Sequence, residues 1–511
     1  MRNTNAFSGR RGFLQGTAAA GVALSLNQLD FLPKLRPVSA AEAQLPGDAV
    51  RFSDDIEPLV RLLEETPRER VVETFAAKIQ DGTSYREVLA ALLLAGVRNV
   101  QPRPAVGFKF HAVLVVNSAH LASLASPDRD RWLPIFWALD YFKSAQASDI
   151  DEGDWTMPAV AEHLVPSPEK ARKAYREAME RWDESAADAA TVALARSSGA
   201  NEVFDLMAHY GCRDFRSIGH KAIYVANAFR TLHCIGWRYA EPVLRSLTYA
   251  MLNHHGEPNP AQSDLAADAA WRETDHRAAE FGKSLRGGRL DAAATLTLVD
   301  SLRNAPPSEA VGLVCDTAAR GIAVQSIIDA LFLSASEMVM QQPGIVSLHS
   351  ATSTNALQYS FRTAGNDDTR CRLLLQNAAF IPHFRESMRS RGKVADRRID
   401  SFAEAESDGG PASVGEIFGK VSGDRNAAAA DLLRYLNAGG GGKEVIRAAR
   451  RLVFLKGNDS HDYKYSSAVL EDYENVSPQF RNACLAAAAH LLPGSGDRDN
   501  GLVDRVRSAL A

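Results

Sequence analysis

Residues 111–122 read HAVLVVNSAHLA, and the outline of this stretch returns three times along the chain. The later copies are HKAIYVANAFRT at 220–231, HSATSTNALQYS at 349–360 and HDYKYSSAVLED at 461–472. Each copy opens on a histidine: His111, His220, His349 and His461, spaced by 109, 129 and 112 residues. Asn117, Asn355 and Ser467 stand six residues after their histidines, and Asn227 stands seven after His220. A small residue follows in every copy: Ser118, Ala228, Ala356 or Ala468. A chain of similar units can close so that equivalent side chains meet, and four histidines that meet make a metal or cofactor site.

The likeness extends on both sides. Upstream of each histidine lies a small-residue turn, at 80–83, 197–200, 320–323 and 439–442. An apolar pattern with helical period follows each turn, over 84–96, 201–211, 324–336 and 443–457. Leu89, Leu92 and Leu93 share one face, as do Val203, Leu206 and Met207. Downstream of each histidine helix, a polar break near Asp130, Arg238, Thr369 or Pro478 opens a further helix. The unit is therefore helix, turn, helix, histidine helix, helix, longer than the common solenoid repeats of roughly 20–50 residues. The expected fold is all-α, with four pseudo-repeats of helical hairpins at about 68–166, 184–260, 308–390 and 425–495. These units are expected to form one domain over 44–511, closed as a toroid or curved as a solenoid around a central cavity.

Composition narrows the function. The chain has 511 residues, 46% of them apolar, and a net charge of −4, which suits a soluble globular protein with a large core. No basic surplus calls for a nucleic acid, and no run of about 20 apolar residues marks a membrane span. The five cysteines, Cys212, Cys234, Cys315, Cys371 and Cys484, form no C-x-x-C pair and are read as buried small hydrophobes. The glycine run 439–442 lacks the Lys-Ser/Thr of a P-loop and reads as a turn. No nucleophile elbow and no dinucleotide fingerprint is present.

The N-terminus resembles a bacterial twin-arginine signal, with Arg10, Arg11, Phe13 and Leu14 in register and Gly9 where Ser or Thr is usual. A mildly apolar stretch follows, and Ala41-Glu42-Ala43 offers a cleavage site, so 1–43 are set apart from the fold. The resemblance implies a partner, the twin-arginine export machinery, and a periplasmic or secreted destination. It also implies folding before export, often with a cofactor in place.

Each repeated histidine is expected near a helix start, where the positive end of the helix dipole disfavours an imidazolium. Neutral imidazole is the metal-binding form, and it suits iron, copper and zinc, with manganese as a further candidate. No H-x-x-x-H or H-E-x-x-H pair exists, so a site must be assembled from separate units. His111, His220, His349 and His461 are the candidate metal ligands. Imidazoles more than roughly 12 Å apart could not share one ion, whose bonds are about 2 Å long. Asn117, Asn227 and Asn355 are candidates for orienting a cofactor, a substrate or a histidine tautomer, or else for bonding a neighbouring helix end. Asp459 and Ser460 read either as helix caps or as partners of His461. Lys464 lies one turn beyond His461 on about the same face. The loop bearing His254, His255 and Glu257 reads as a solvated surface loop or a gate, and His120 and His233 read as core or surface residues.

Two stretches are similar to the questin oxidase-like family. His349, Thr352, Ala356 and Leu357 match its His-x-x-Thr-x-x-x-Ala-Leu helix, and Asp459, His461 and Lys464 match its Asp-x-His-x-x-Lys segment. The resemblance implies an oxidoreductase that uses oxygen, with His349, His461 and Lys464 as catalytic positions. The family's aromatic polyketide setting does not carry over to an exported bacterial chain. The leading expectation is an exported oxidoreductase with a histidine-lined, metal-bound site for a small organic substrate. A hydrolase or lyase using the same histidines is a further reading. A non-catalytic helical-repeat binding protein is the alternative, and it expects the four histidines to be scattered.

Overall fold

Helices form over the apolar stretches that the sequence marks out. Around His111 the helices are Tyr85–Asn99, the short turn His111–Leu114 running into Val116–Ala125, and Leu133–Glu152. Around His220 they are Ala200–Gly211, His220–Ile235 and Ala240–Met251, and around His349 they are Val324–Gln341, Ile345–Thr363 and Asp367–Arg389. Gly442–Lys456, Ser460–Asp472 and Pro478–Ala487 surround His461. Tyr85–Asn99 begins at a capping box, in which Ser84 Oγ accepts from the Glu87 amide and the Glu87 carboxylate accepts from the Ser84 amide. Ser460–Asp472 begins in the same way at Asp459 and Asp462.

The computed structural model describes residue 50 and residues 52–102, 108–252, 258–404 and 412–511. The export-signal segment 1–43 and the loop with His254, His255 and Glu257 lie outside the described residues. Among the described residues the fold is all-helical and contains no strand, and an isolated bridge pairs Arg289 with Ile322. Val50–Ala511 group into one unit by their contacts.

The helices that carry the repeated histidines form the inner layer, and they pack in a closed circuit. His220–Ile235 lies against Ile345–Thr363, which lies against Ser460–Asp472. Ser460–Asp472 lies against Val116–Ala125, which returns to His220–Ile235. Their flanking helices form an outer layer: Ala200–Gly211 covers His220–Ile235, and Val324–Gln341 with Asp367–Arg389 covers Ile345–Thr363. The inner helices are therefore buried nearly all round, which explains why their sequences lack a clean polar face. In Ile345–Thr363 the run from Val346 to Gln358 is entirely buried, and it is rich in Ser, Thr and Ala, whose small side chains allow close helix approach. The last helix, Val503–Leu510, packs on Val71–Gln80 and so joins the two ends of the described chain. Arg505 pairs with Glu73 there at 2.7 Å.

No helix of the described residues is long and apolar enough to cross a membrane. All five cysteines are free thiols; Cys212, Cys371 and Cys484 are buried, and Cys234 and Cys315 are half-buried. Burial pushes the Cys212 thiol up to about 12, in keeping with an inert core residue.

Two buried ionic clusters tie the outer layer together. Arg98 is fully buried and clamps Glu57 at 2.8 Å and Glu64 at 2.7 Å on the helix Glu57–Glu65. Glu337 is also fully buried, and accepts from Arg303 at 2.6 Å, Arg385 at 3.0 Å and the Ile399 amide at 3.0 Å. Glu337→Ala leaves the buried Arg385 guanidinium without its carboxylate, while Arg303 keeps Asp300 and Asp400, and is expected to cost about 3–5 kcal/mol. Glu73→Ala breaks a solvated pair and is expected to cost under about 1 kcal/mol. Denaturant midpoints of the two variants check the contrast, and equal losses would contradict it.

Candidate functional site

The circuit of inner helices brings His111, His220 and His349 together as one group of ligand atoms, with the His461 ring beside it. His111 is the first residue of its turn, His220 the first of its helix, His461 the second, and His349 the fifth. The Nε2 atoms of His111 and His220 are 3.0 Å apart, and those of His220 and His349 are also 3.0 Å apart. Ligand atoms of these three residues lie within 4.8 Å of one another. The His461 ring joins them, with its centroid 4.6 Å from that of His111 and 5.4 Å from that of His349. His111, His220 and His349 are buried, and His461 is half-buried.

The hydrogen bonds on the far side of the rings decide what this geometry means. His220 Nδ1 faces the Ser217 carbonyl at 2.8 Å, and His349 Nδ1 faces the Ile345 carbonyl at 2.6 Å. A carbonyl only accepts, so each Nδ1 carries the proton and each neutral ring keeps its lone pair on Nε2. His220 and His349 thus aim lone pairs at each other across 3.0 Å. His461 follows the same plan: Nδ1 meets Asp459 Oδ1 at 2.5 Å, and its buried Nε2 has no partner within the protein. Such far-side bonds are how metal-ligating histidines are oriented.

Facing lone pairs require a positive charge between them, either a proton or a metal ion. Burial first, and then the nearby charge of Lys464, holds His111 and His220 well below the ordinary imidazole range. Burial, His220 and Lys464 do the same to His349. Two nitrogens bound to one metal at about 2.1 Å sit about 3.0 Å apart at a right angle and about 3.4 Å apart at the tetrahedral angle. The observed 3.0 Å spacings match the right angle.

Lys464 lies on the His461 helix, fully buried, and its Nζ has no hydrogen-bond partner. Burial pulls its ammonium down to about 7, opposed by Asp459. Asp459 itself is lowered to about 2, first by its bond to His461. It both caps the helix, accepting from the His461 amide at 2.7 Å, and holds the His461 ring, so the two readings of this residue are both realised.

The asparagines do not join the histidines. About two turns along the helices, they form a separate ring of interhelix bonds. Asn117 donates to Asn227 Oδ1 at 3.5 Å, and Asn227 donates to the Leu114 carbonyl at 3.0 Å. Arg230 donates to Asn355 Oδ1 at 3.2 Å. Asn355 donates to Asp472 at 2.7 Å and Glu471 at 2.8 Å, and Ser467 closes the ring on Ser118 at 2.9 Å. These amides bond neighbouring helices, the second of the two roles open to them from sequence. His120 lies outside the cluster and pairs with the Tyr85 hydroxyl at 2.8 Å, and His233 is exposed.

Sequence reasoning missed the two carbonyl partners, Ser217 and Ile345, since every residue carries a carbonyl. It also missed Trp137, which is buried and stacks on Tyr463 at 4.2 Å, beside Lys464 in the chain. Gly219 was missed as well. It turns the chain into the His220 helix at φ +83°, and a Cβ there would lie 1.9 Å from Ser353 Oγ. No family model, curated protein or solved structure matches this chain.

Gly219→Ala is expected to destabilise the protein by more than Gly321→Ala, whose position at a similar φ of +78° has open space around it. The positive φ accounts for about 1–2 kcal/mol in each; the contact with Ser353 adds to Gly219→Ala only. Adding Ser353→Ala should recover part of the Gly219→Ala loss and none of the Gly321→Ala loss, as read from thermal unfolding. Equal losses without rescue would contradict the packing described.

Proposed function

We propose that the protein is an exported oxidoreductase in which His111, His220, His349 and His461 hold one transition-metal ion beside Lys464. The observation that carries this reading is the meeting of His220 and His349 Nε2 lone pairs at 3.0 Å, each fixed from behind by a carbonyl. An all-imidazole shell suits iron, copper or zinc, with manganese as a further candidate. The ion, when bound, supplies Lewis-acid or redox chemistry. His461 and Asp459 form the carboxylate–histidine pair that orients one ligand. Lys464, whose buried ammonium is pulled down to about 7 in the metal-free protein, is the group placed to give or take a proton.

The oxidative direction rests on the likeness of 348–357 and 459–464 to the questin oxidase-like family, with a small organic molecule as substrate. The twin-arginine pattern at Arg10 and Arg11 supports loading of the metal before export to the periplasm or beyond. In this reading the four units are pseudo-repeats arranged about the ion as a toroid, each contributing one histidine from the start of its inner helix. The alternative, a non-catalytic binding scaffold, expects scattered histidines. Five of the six ring pairs, all but His220–His461, instead have centroids within 6.3 Å.

Elemental analysis with an absorption spectrum tests the proposal. Purified protein is expected to hold close to one iron, copper, manganese or zinc ion per chain. His349→Ala and His220→Ala should lose it, and Asp459→Ala should bind it about 10- to 100-fold more weakly. Folded protein that stays metal-free after purification with each metal supplied would overturn the proposal in favour of metal-free acid/base chemistry.

A further inference from the structure

Charge is the unsolved quantity at the histidine centre. Among the described residues, the ligand cluster consists of histidines alone, with no Asp, Glu or Cys in it. Metal sites usually offset part of the ion's charge with thiolate or carboxylate ligands. Four neutral imidazoles offset none of it. Lys464 adds a further cationic group on the same helix, and its electrostatic influence reaches His111, His220 and His349. Asp459 is turned to the far side of the His461 ring, where it bonds Nδ1. Asp462 is engaged by the amides of Asn458 and Asp459 at 3.0 and 3.2 Å. Positive charge gathered in a dehydrated interior without a counter-charge is costly.

Two more observations point to a ligand rather than to a closed structural centre. Lys464 Nζ is buried without a partner, although an ammonium carries three donors. The 3.0 Å spacing of the histidine nitrogens suits a tetragonal or octahedral ion rather than a tetrahedral one, and either geometry leaves positions that four imidazoles do not occupy.

We infer that the centre takes an anionic oxygen or nitrogen donor as its exogenous ligand, bound to the ion and hydrogen-bonded by Lys464. The natural occupant is then the ionised oxygen of an organic substrate, a carboxylate, phenolate or enolate, or a small inorganic anion in its place. This inference rests on the proposed metal site and deepens it: it names the charge class of the ligand and gives Lys464 the task of holding it.

Azide and benzoate, titrated separately into metal-loaded full-length protein and followed by the absorption spectrum and by calorimetry, test the inference. Azide is expected to bind at one site per metal. Lys464→Met, which replaces an unpartnered buried amine by an apolar chain of similar size, is expected to fold and to keep its metal. It should bind azide about 10- to 100-fold more weakly. Benzoate competing with azide would support the organic source, and azide binding without benzoate would support the inorganic one. Metal-loaded protein that binds neither anion, or whose anion affinity ignores Lys464→Met, would overturn this inference and leave the metal site standing. Protein that takes up no metal would overturn both.

Discussion

Two imidazole lone pairs held 3.0 Å apart in a buried space are unfavourable unless a positive charge lies between them, and the fold is arranged to hold them there. Ser217 and Ile345 fix the rings from behind. Gly219 lets the chain turn sharply enough to start the His220 helix at that point. The asparagine ring, two turns away, keeps the inner helices in register. Apolar burial gives the helices their stability, but it does not choose where four histidines point. The polar bonds at both levels make that choice.

The cost of the arrangement is visible in the unpartnered atoms. His461 Nε2 and Lys464 Nζ are both buried with no hydrogen bond, and each such group costs about 1–3 kcal/mol. In the proposed account an ion on the imidazole nitrogens and an anion on Lys464 offset that cost, because ligand binding to the folded state adds to stability. Structural zinc in small peptides contributes about 10–16 kcal/mol, which exceeds the cost of the few buried lone pairs. On this account the histidine centre is a load on the metal-free fold and a support to the metal-bound one.

Much of this was legible in the sequence, since periodicity and repetition are local. The helices before each histidine follow from apolar spacing, and the histidine helices and the equivalence of His111, His220, His349 and His461 follow from their shared neighbours. That Lys464 shares a face with His461 follows from helical geometry alone. The asparagines show where legibility stops. Their type says that a buried amide needs partners, but Asn355 finds its own in Glu471 and Asp472, more than a hundred residues away. The same holds for Trp137 on Tyr463, and for the carbonyls of Ser217 and Ile345, which no residue type announces. Asp459 had two possible roles, cap and ring partner, and one carboxylate oxygen fills both.

The central claim is that a single cation sits among four imidazole nitrogens. X-ray absorption fine structure at the edge of the bound metal tests it most directly. The account predicts a first shell of nitrogen and oxygen scatterers at about 2.0–2.2 Å, with the outer-shell pattern of about four imidazole rings and no sulfur. A shell of sulfur or carboxylate without imidazole scattering, or the same spectrum from His220→Ala protein, would contradict it.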